Sequence, residues 1–327
     1  HNIMDHHFKA GARAQIDGYE DYYYHGNRPA NGYLARFRNL GNEKMNYLRG
    51  CGYQGGAIRG GWANSGEAAF TDLITEGRLE FGIGSGAYQR EFDRMHPGLK
   101  QSDAWRYMQE SLPAVKKLWE GDYEHSGEFW SFPLSTSVPK PVQKGGPPVW
   151  VAARAPITYD YAVKNHCNIM SWPFTRPFAE AELYKQRLDD ALESSSNGFK
   201  PIFAMMRHAA VYTNKEEANV YIKAIQRILG QFENLYRNLG DVKDGFPKEI
   251  ALKELENRDE YNPTMLEENL LFGTPDAVIK KLKLYEDLGV DNFIYYASMG
   301  LDHASQKRSL KLFCEFPASE NSVKNGA

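Results

Sequence analysis

The sequence has little of several features that would assign it to a particular class of protein. Its 327 residues carry a formal net charge of −3, and acidic and basic residues are interleaved. This distribution predicts neither a basic face for nucleic acid nor a polybasic patch for a membrane surface. No apolar run approaches the roughly 18 residues that a membrane-spanning helix needs. The first residues also show neither the charged nor the apolar segment of a secretory signal peptide. We therefore expect a protein whose partner is a small molecule.

Cysteine is scarce as well. Cys51, Cys167 and Cys314 are odd in number and lie far apart, which favours buried free thiols in a reducing cytoplasm over a disulfide framework. None of the three lies in a recognisable nucleophile motif, so a catalytic cysteine is not expected. The sequence thus predicts a cytoplasmic location.

The most informative segment that the chain does contain is EGRLEFGIGSGAYQREF at residues 76–92. Residues 79–83 are mostly apolar and predict a buried strand. Gly82, Gly84 and Gly86 allow positive φ angles and a close approach of the backbone to a ligand. A dinucleotide-binding fingerprint would need a third glycine opening a helix and an acidic residue about 20 positions later. That context is missing, so we interpret the segment as a strand that ends in a ligand-contacting loop.

Strand and helix patterns alternate along much of the chain. Strands are predicted at residues 148–153, 167–171, 202–212 and 291–297, and helices at residues 102–119, 157–164, 215–237 and 275–288. This rhythm predicts a parallel sheet. The length suits a (β/α)8 TIM barrel with insertions. We therefore expect an α/β protein with a single barrel domain over residues 1–327.

Two segments do not fit this rhythm. Residues 9–66 are rich in Gly, Tyr, Asn and Arg and have poor periodicity, so no strand is expected there. Residues 238–269 are charged and contain Gly and Pro, which predicts a mobile connection. Long insertions of this kind are often lids over a site.

A second junction between strand and loop places Arg154 directly after the predicted strand at residues 148–153. A guanidinium group at this point can bind a phosphate through two parallel hydrogen bonds, together with the N–H groups that begin the next helix. The alternative is an arginine that forms a salt bridge at the rim of the barrel. The sequence alone leaves both interpretations open.

Four blocks of the chain resemble the bacterial luciferase-like flavin monooxygenases. The first is DHHF at residues 5–8, which is similar to the family's Glu-His-His-Phe strand end. Residues 76–92 resemble its glycine-rich signature. Residues 148–172 follow its Pro-x-x-Val-Ala…Ser-Trp pattern, and residues 272–317 resemble its closing Gly-Thr-Pro, helix, Gly-Val-Asp and strand pattern. The order and spacing of the blocks together make the resemblance fairly specific.

The resemblance implies a luciferase-like barrel that binds reduced FMN at the C-terminal ends of its strands. The flavin would react with O2 to a C4a-peroxyflavin and oxygenate a small hydrophobic substrate such as an aldehyde, a ketone or an aromatic compound. A separate flavin reductase would supply the reduced FMN, since no second fingerprint for NAD(P)H occurs in the chain. The resemblance also implies a homodimer. Two alternatives stay open: a deazaflavin-dependent hydride-transfer oxidoreductase, and a non-catalytic flavin-binding partner subunit.

The resemblance also implies roles for individual residues. His6 matches the family's active-site histidine near the reacting edge of the flavin, although a histidine buried in the core is the alternative. A metal site built on His6 is not predicted, because the histidines and the aspartate near it lack a recognised ligand spacing. The residues expected to contact the cofactor are Gly84, Ser85, Gly86 and Tyr88 along the flavin, Trp172 near its ring, and Ala153 and Arg154 at its phosphate.

The chain departs from the luciferase subgroup in two places. That subgroup has an arginine for the phosphate on the loop after Ile83, where this chain has Ser85, and a Glu-Ser pair where this chain has Ala153 and Arg154. The cation has thus moved across the predicted site. The match also opens at the end of the family's second strand, so the first βα unit of the barrel has no counterpart. Either that unit is absent from this sequence or residues 9–66 are built differently.

Overall fold

The computed structural model describes most of the chain after residue 63. Described are residues 64–86, 89, 92–93, 98, 100–237, 242–243, 246–247, 251–256, 258–297 and 299–321, together with two strands at residues 31–34 and 53–56. The chain divides into two compact units, His1–Gly61 and Trp62–Ala327.

The first unit contains a pair of short antiparallel strands. Strand β1 (Asn31–Leu34) pairs with β2 (Tyr53–Gly56), with Asn31 opposite Gly56. The expectation of no strand within residues 9–66 is therefore wrong. Each strand has four residues and three of the eight are glycine, so the segments are too short and too poor in side chains to show alternation.

The second unit alternates helices and strands. In chain order these are α1 (Asn64–Ile74), β3 (Phe81–Ile83), α2 (Ala104–Glu120), β4 (Tyr123–Ser126), β5 (Ser131–Ser135), β6 (Val149–Ala152), α3 (Pro156–Lys164), β7 (Asn168–Ser171), α4 (Phe178–Glu193), β8 (Phe203–Val211), α5 (Lys215–Arg237), β9 (Val242–Lys243), β10 (Phe246–Pro247), α6 (Leu252–Glu256), α7 (Pro263–Asn269), β11 (Leu271–Gly273), α8 (Pro275–Asp287), β12 (Asn292–Tyr296) and α9 (His303–Asn321). Single 3-10 turns lie at Gln101–Asp103 and Asp259–Tyr261.

Six of these strands form one parallel sheet. Strands β3, β6, β7 and β8 are consecutive neighbours, and β8 also pairs with β11 and β12. Every residue of β8 except Met206 is buried, as expected for a strand covered on both faces. The predicted parallel sheet is confirmed.

The main core lies between one face of this sheet and helices α2, α3 and α4. Val151, Ile169, Phe203 and Met205 point to this helical face and are almost wholly buried. Because successive strand residues point to opposite faces, the side chains of Trp150, Met170 and Met206 point to the other face.

The sequence patterns located five of the six strands of the parallel sheet and four of the helices. The helix predicted at residues 215–237 is α5, and the strand predicted at residues 202–212 is β8. Helix α4 was not predicted. Its buried residues Ala181, Tyr184, Leu188 and Ala191 have helical spacing, but two of the four are alanines, which give a weak hydrophobic signal.

The antiparallel hairpin β4–β5 is fixed to α2 by Glu110. Its carboxylate accepts hydrogen bonds from the main-chain N–H groups of Phe129 (3.0 Å) and Trp130 (2.9 Å) and lies 2.9 Å from Nε2 of His125. Burial raises the pKa of Glu110, but these hydrogen bonds outweigh it and leave the pKa below its ordinary value. His125 therefore supports a turn rather than a reaction.

Residues 238–269 contain the short antiparallel pair β9–β10, followed by α6 and α7. The mobility of this segment stays a prediction. Within the described residues, none of the helices combines the length and the apolar content that a membrane crossing requires.

Candidate functional site

The two junctions between strand and loop that the sequence singled out, after β3 and after β6, lie side by side with the end of β7. Ile83 of β3 is opposite Val151 of β6, and Ala152 of β6 is opposite Met170 of β7. The loops that begin after these strands therefore meet at the carboxyl edge of the sheet. Parallel α/β sheets and barrels carry their ligand sites at this edge.

The loop after β3 contains the predicted cofactor residues Gly84, Ser85 and Gly86. Gly86 has φ +79°, and a Cβ atom there would lie 2.8 Å from Cε2 of Phe92. Glycine is thus required at this position by both conformation and space. A Cβ at Gly84 would meet nothing closer than the Cβ of Ala152 at 3.9 Å, so Gly84 and Ala152 leave a shallow surface of small residues.

Ala153 contributes through its position in the backbone. It is buried, its N–H donates to the carbonyl of Met170 (2.9 Å), and its carbonyl accepts from Oγ of Ser171 (2.9 Å) and from the hydroxyl of Tyr159 (3.4 Å). Since both main-chain polar groups are already hydrogen bonded, we expect Ala153 to fix the direction in which the next residue leaves the strand.

That next residue, Arg154, is exposed and lies against α4. Its Nε donates to the hydroxyl of Tyr184 (3.2 Å), and Arg187 donates to the main-chain carbonyl of Arg154. The guanidinium of Arg187 also lies over the Tyr184 ring, 5.7 Å from its centroid. We call Arg154 and Arg187 the arginine pair. Neither forms an ion pair with a carboxylate in the described part of the chain, so the rim salt bridge that was the alternative for Arg154 is not observed there.

An aromatic cluster occupies the opposite side of this edge. Trp172, which follows β7, has ring centroids at 4.9 Å from Phe174, 6.0 Å from Phe232 and 5.9 Å from Tyr296. All four side chains are half-buried. We call Trp172, Phe174, Phe232 and Tyr296 the aromatic wall, and their edge-to-face contacts are those that aromatic rings prefer.

His208 of β8 packs against this wall and was not predicted from the sequence. Its ring stacks on Tyr296 with centroids 4.5 Å apart and lies 5.5 Å from Trp172. The side chain is fully buried. Burial, reinforced by the positive charge of Arg207, lowers the pKa of His208 to about 3, so the imidazole is neutral at physiological pH.

Three buried polar atoms at the aromatic wall have no hydrogen-bond partner in the described part of the chain. They are Nδ1 and Nε2 of His208 and Nε1 of Trp172. Leaving a buried donor or acceptor unpaired costs about 1–3 kcal/mol each, so such atoms call for an explanation. A ligand with polar atoms on the edge of a flat ring would satisfy them.

The predicted residues His6 and Tyr88 lie outside the described residues, as do His1, Asp5 and His7. Among the described residues, the structure brings together Gly84, Ser85, Gly86, Ala153, Arg154 and Trp172 at one edge of the sheet, and their contact with a cofactor stays a prediction. The sequence reasoning missed His208 and Arg187. His208 had a usable signal, because it is an ionisable residue near the C-terminal end of a predicted apolar strand, where barrels keep their functional groups.

The described residues fit the two ends of a flavin mononucleotide. The aromatic wall, with its three unsatisfied polar atoms, suits a flat heteroaromatic ring. The arginine pair and the start of α3, which has no side-chain cap, suit a phosphate.

The chain is similar to monooxygenases of one known family. The sequence profile of the luciferase-like monooxygenase family matches residues 65–292. The oxygenase component of the flavin-dependent trigonelline monooxygenase from Acinetobacter baylyi is 36% identical over 247 residues, which cover 76% of this chain and 69% of that protein.

Solved structures give the fold. The oxygenating constituent of 3,6-diketocamphane monooxygenase from Pseudomonas putida, in complex with FMN, aligns with TM-score 0.60 and 16% identity over 79% of this chain and 75% of that chain. A secondary alcohol dehydrogenase that depends on coenzyme F420 aligns with TM-score 0.58 and 13% identity over 77% of this chain and 75% of that chain. The predicted α/β barrel fold of the luciferase-like type is confirmed. The chain therefore belongs to the luciferase-like monooxygenase family, as its four sequence blocks indicated.

Proposed function

We propose that this protein is the oxygenase component of a two-component flavin-dependent monooxygenase. It would use O2 and reduced FMN, supplied by a separate flavin reductase, to oxygenate a small and mainly apolar organic substrate. The observation that carries the proposal is the set of unsatisfied polar atoms of Trp172 and His208 at the aromatic wall. They lie at the carboxyl edge of a sheet in a chain of this family.

Reduced FMN, when bound, supplies the electrons that activate O2 for transfer of one oxygen atom to the substrate. The aromatic wall would bind the ring system and exclude water from it. Trp172 would donate its N–H to the ligand. His208, being neutral, can donate from one ring nitrogen and accept at the other, which suits hydrogen bonding to a ligand more than acid catalysis.

The arginine pair would bind the phosphate. Arg154 uses Nε for Tyr184, and its two Nη groups are the donors with the geometry for a bidentate contact to phosphate. Ser85, on the loop after β3, would add a neutral hydroxyl. The N–H groups of the first turn of α3 favour an anion through the helix dipole.

We propose that Tyr88 lies along the flavin and that His6 handles a proton in the oxygenation step. Replacing His6 by Ala should reduce oxygenation by a factor of about 10² to 10⁴ while FMN binding is largely kept. An unchanged rate would remove His6 from the mechanism.

A flat aromatic compound is the substrate class that we favour over aldehydes and ketones. The relative at 36% identity acts on trigonelline, a nitrogen heteroaromatic compound. A panel of N-heteroaromatic carboxylates, plain aromatics and aliphatic ketones, assayed for substrate-dependent product, would test this choice.

The central experiment is an O2-consumption assay with purified protein. Oxygen uptake coupled to substrate oxygenation should require reduced FMN, whether added directly or made by an added reductase. Efficient turnover with NADH alone, after contaminating reductase has been excluded, would contradict the two-component assignment.

A deazaflavin-dependent hydride-transfer oxidoreductase is the second candidate. It is favoured by the similar fold of the F420-dependent alcohol dehydrogenase, because both cofactors present a flat tricyclic ring. Fluorescence titration with FMN and with the deazaflavin separates the two. Clear preference for the deazaflavin would overturn the FMN assignment.

We also propose that the chain acts as a homodimer in the cytoplasm, with one barrel domain over residues 1–327. Cys167 is a buried free thiol as predicted, which supports a reducing compartment, whereas the free thiol of Cys314 is exposed and the prediction of burial was wrong there; Cys51 lies outside the described residues. Sedimentation combined with a turnover assay tests the assembly. If turnover appears only after a second, different subunit is added, the alternative of a non-catalytic flavin-binding partner subunit is favoured instead.

A further inference from the structure

Arg207 is a fully buried cation that is held by neutral groups. Its Nε donates to the hydroxyl of Tyr285 (2.8 Å), and its Nη1 donates to the carbonyls of Phe174 (3.1 Å) and Arg176 (2.7 Å). Its Nη2 lies 3.4 Å from the carbonyl of Pro177. No carboxylate forms an ion pair with it among the residues that the structure describes. Burying a charge without an opposite charge beside it costs free energy, so the presence of Arg207 at this position calls for an explanation.

The three carbonyls belong to one turn, residues 174–177, which connects β7 to α4. Phe174 has φ +58°, a left-handed conformation that is uncommon for a residue with a side chain. Such a conformation persists only where the surroundings fix it. Asn269 provides a second tether, because its Nδ2 donates to the carbonyl of Thr175 (2.9 Å).

Two of the four residues of the aromatic wall lie in this turn or just before it. Trp172 precedes it by two positions and Phe174 is its first residue, and their rings contact each other and Phe232. A shift of the turn would therefore move both rings relative to His208.

Arg207 and His208 are consecutive on β8, so their side chains point to opposite faces of the sheet. Arg207 reaches the turn from the helical face, whereas His208 stacks on Tyr296 at the other face. The two residues thus act on the same site from two sides of one strand.

We propose that Arg207 is a positioning residue. It holds the turn at residues 174–177 so that the rings of Trp172 and Phe174 keep their positions relative to His208. The assignment of a flavin ring to this wall rests on the proposed function. The positioning role itself is a property of the ligand-free protein.

The contacts require the shape of a guanidinium group. The planar guanidinium presents five N–H donors in fixed directions. In Arg207 these donors reach the hydroxyl of Tyr285 on α8 and the carbonyls of Phe174 and Arg176 in the turn. A lysine would keep the charge but would gather its three donors on one atom. Arg207→Lys should therefore recover only part of what Arg207→Met loses.

Lys140 offers a matched control. Its Nζ also donates to main-chain carbonyls, those of Leu118 (2.6 Å) and Gly121 (3.3 Å), and to Oγ1 of Thr136 (2.6 Å). These acceptors lie at the C-terminal end of α2 and after β5, and not in the turn at residues 174–177. Lys140→Met should therefore remove a comparable number of bonds without moving Trp172.

The first measurement uses the ligand-free protein. The contribution of Trp172 to the near-UV circular dichroism is obtained by subtracting the Trp172→Phe spectrum in each background, at a temperature where all variants are folded. We expect Arg207→Met to lose most of this contribution and Lys140→Met to keep it. Both substitutions should lower the thermal midpoint.

The second measurement is the Kd for FMN and for riboflavin. Arg207→Met should weaken both at least about tenfold, since displacements of about 1 Å can cost up to 10²-fold in function. Lys140→Met should leave both within about twofold, because Lys140 shares no partner with Arg207 or with the turn. If the parent protein binds neither flavin, the proposed function fails while the circular dichroism still decides the positioning role.

An unchanged Trp172 contribution in folded Arg207→Met would overturn the proposal and leave Arg207 as a purely structural cation. If that variant does not fold, Arg207→Lys and Tyr285→Phe take its place. Tyr285→Phe keeps the ring and removes only the hydroxyl that fixes Nε. A normal Trp172 contribution in both of these milder variants would equally overturn it.

Discussion

The aromatic wall and the arginine pair lie at the same edge of the sheet but are opposite in character. The wall is half-buried, and its histidine is neutral and fully enclosed. Arg154 of the arginine pair is exposed, carries its charge beside Tyr184 and lies at the start of a helix. Among the residues that the structure describes, one region lacks hydrogen-bond partners for its buried polar atoms, and the other presents a positive charge to solvent.

This difference matches the two ends of a nucleotide cofactor. A flat ring gains from being removed from water against other rings. A phosphate dianion is costly to bury and is bound best by charge-assisted hydrogen bonds near the surface. A single pocket of uniform character would serve one end poorly. The comparison therefore predicts that substitutions in the two regions should respond differently to the presence of the phosphate.

Replacing the largest ring of the wall should have the greatest effect on binding. Trp172→Ala removes buried apolar area and ring contacts, which together are worth about 2–4 kcal/mol, or at least about 30-fold in Kd. FMN and riboflavin should weaken alike, because the ring is common to both. Titration by fluorescence quenching measures each Kd.

Trp105 provides the control for that experiment. Its Nε1 is also buried and unpartnered among the described residues, but its ring contacts Tyr161 at 5.0 Å, on α3. Trp105→Ala should lower stability and leave flavin binding unchanged. Loss of flavin binding in Trp105→Ala to the same degree as in Trp172→Ala would show that general damage to the fold, and not the wall, explains the effect.

Arg154 should separate the two ligands. Arg154→Ala should weaken FMN by about 1.5–3 kcal/mol, the range for a hydrogen bond to a charged group, which is about a 10- to 150-fold rise in Kd. Riboflavin lacks the phosphate, so its affinity should hardly change. Arg154→Lys should recover only part of the loss, because an ammonium group lacks the bidentate fork. Equal losses for the two ligands would return Arg154 to a structural role.

The neutral state of His208 has a consequence for stability. Its pKa is lowered to about 3 from an ordinary 6.5, so between these values the unfolded chain binds a proton that the folded protein excludes. Above pH 6.5 the titration of His208 therefore costs the folded protein no stability. As the pH drops from 6.5 towards 3, the same residue lowers the free energy of unfolding. Between pH 6.5 and pH 5 this residue should account for a loss of about 1–2 kcal/mol.

Urea unfolding of the parent protein and of His208→Leu at pH 6.5 and pH 5 measures how much of the loss in the free energy of unfolding is due to His208. The variant should lose less stability on acidification than the parent does. Identical pH dependence in the two proteins would mean that His208 is protonated or solvated in the folded state, which would contradict the enclosed character of the wall.

The sequence was most informative where chemistry and periodicity coincide. Residues 215–237 have strong helical spacing and residues 202–212 form a long apolar run, and both became the expected elements. The structure also places the glycines after β3 and the arginine after β6 at strand ends, because special backbone conformations and charges at such positions are visible in a linear pattern; their contacts with a cofactor stay predictions.

The aromatic wall was not predictable in the same way. Phe232 lies on α5 and Tyr296 on β12, and only the fold brings them to Trp172. His208 occurs within an apolar strand, where a lone histidine usually satisfies the core. Arg207 appears in the sequence as an interruption of that strand, and its role depends on carbonyls that no side-chain pattern reveals. Contacts between distant segments and main-chain acceptors are what sequence patterns leave out.

Ser85 should give the smallest effect and the finest test of the phosphate end. Ser85→Ala removes one neutral hydroxyl donor, worth about 0.5–1.5 kcal/mol, or about 2- to 13-fold in Kd for FMN. The loss should be confined to FMN and should stay below that of Arg154→Ala, because a charged donor binds phosphate more strongly than a neutral one. In the double variant the losses should add if Ser85 and Arg154 contact different phosphate oxygens. An equal loss for riboflavin would place Ser85 beside the ring instead, and the loop after β3 would then belong with the aromatic wall.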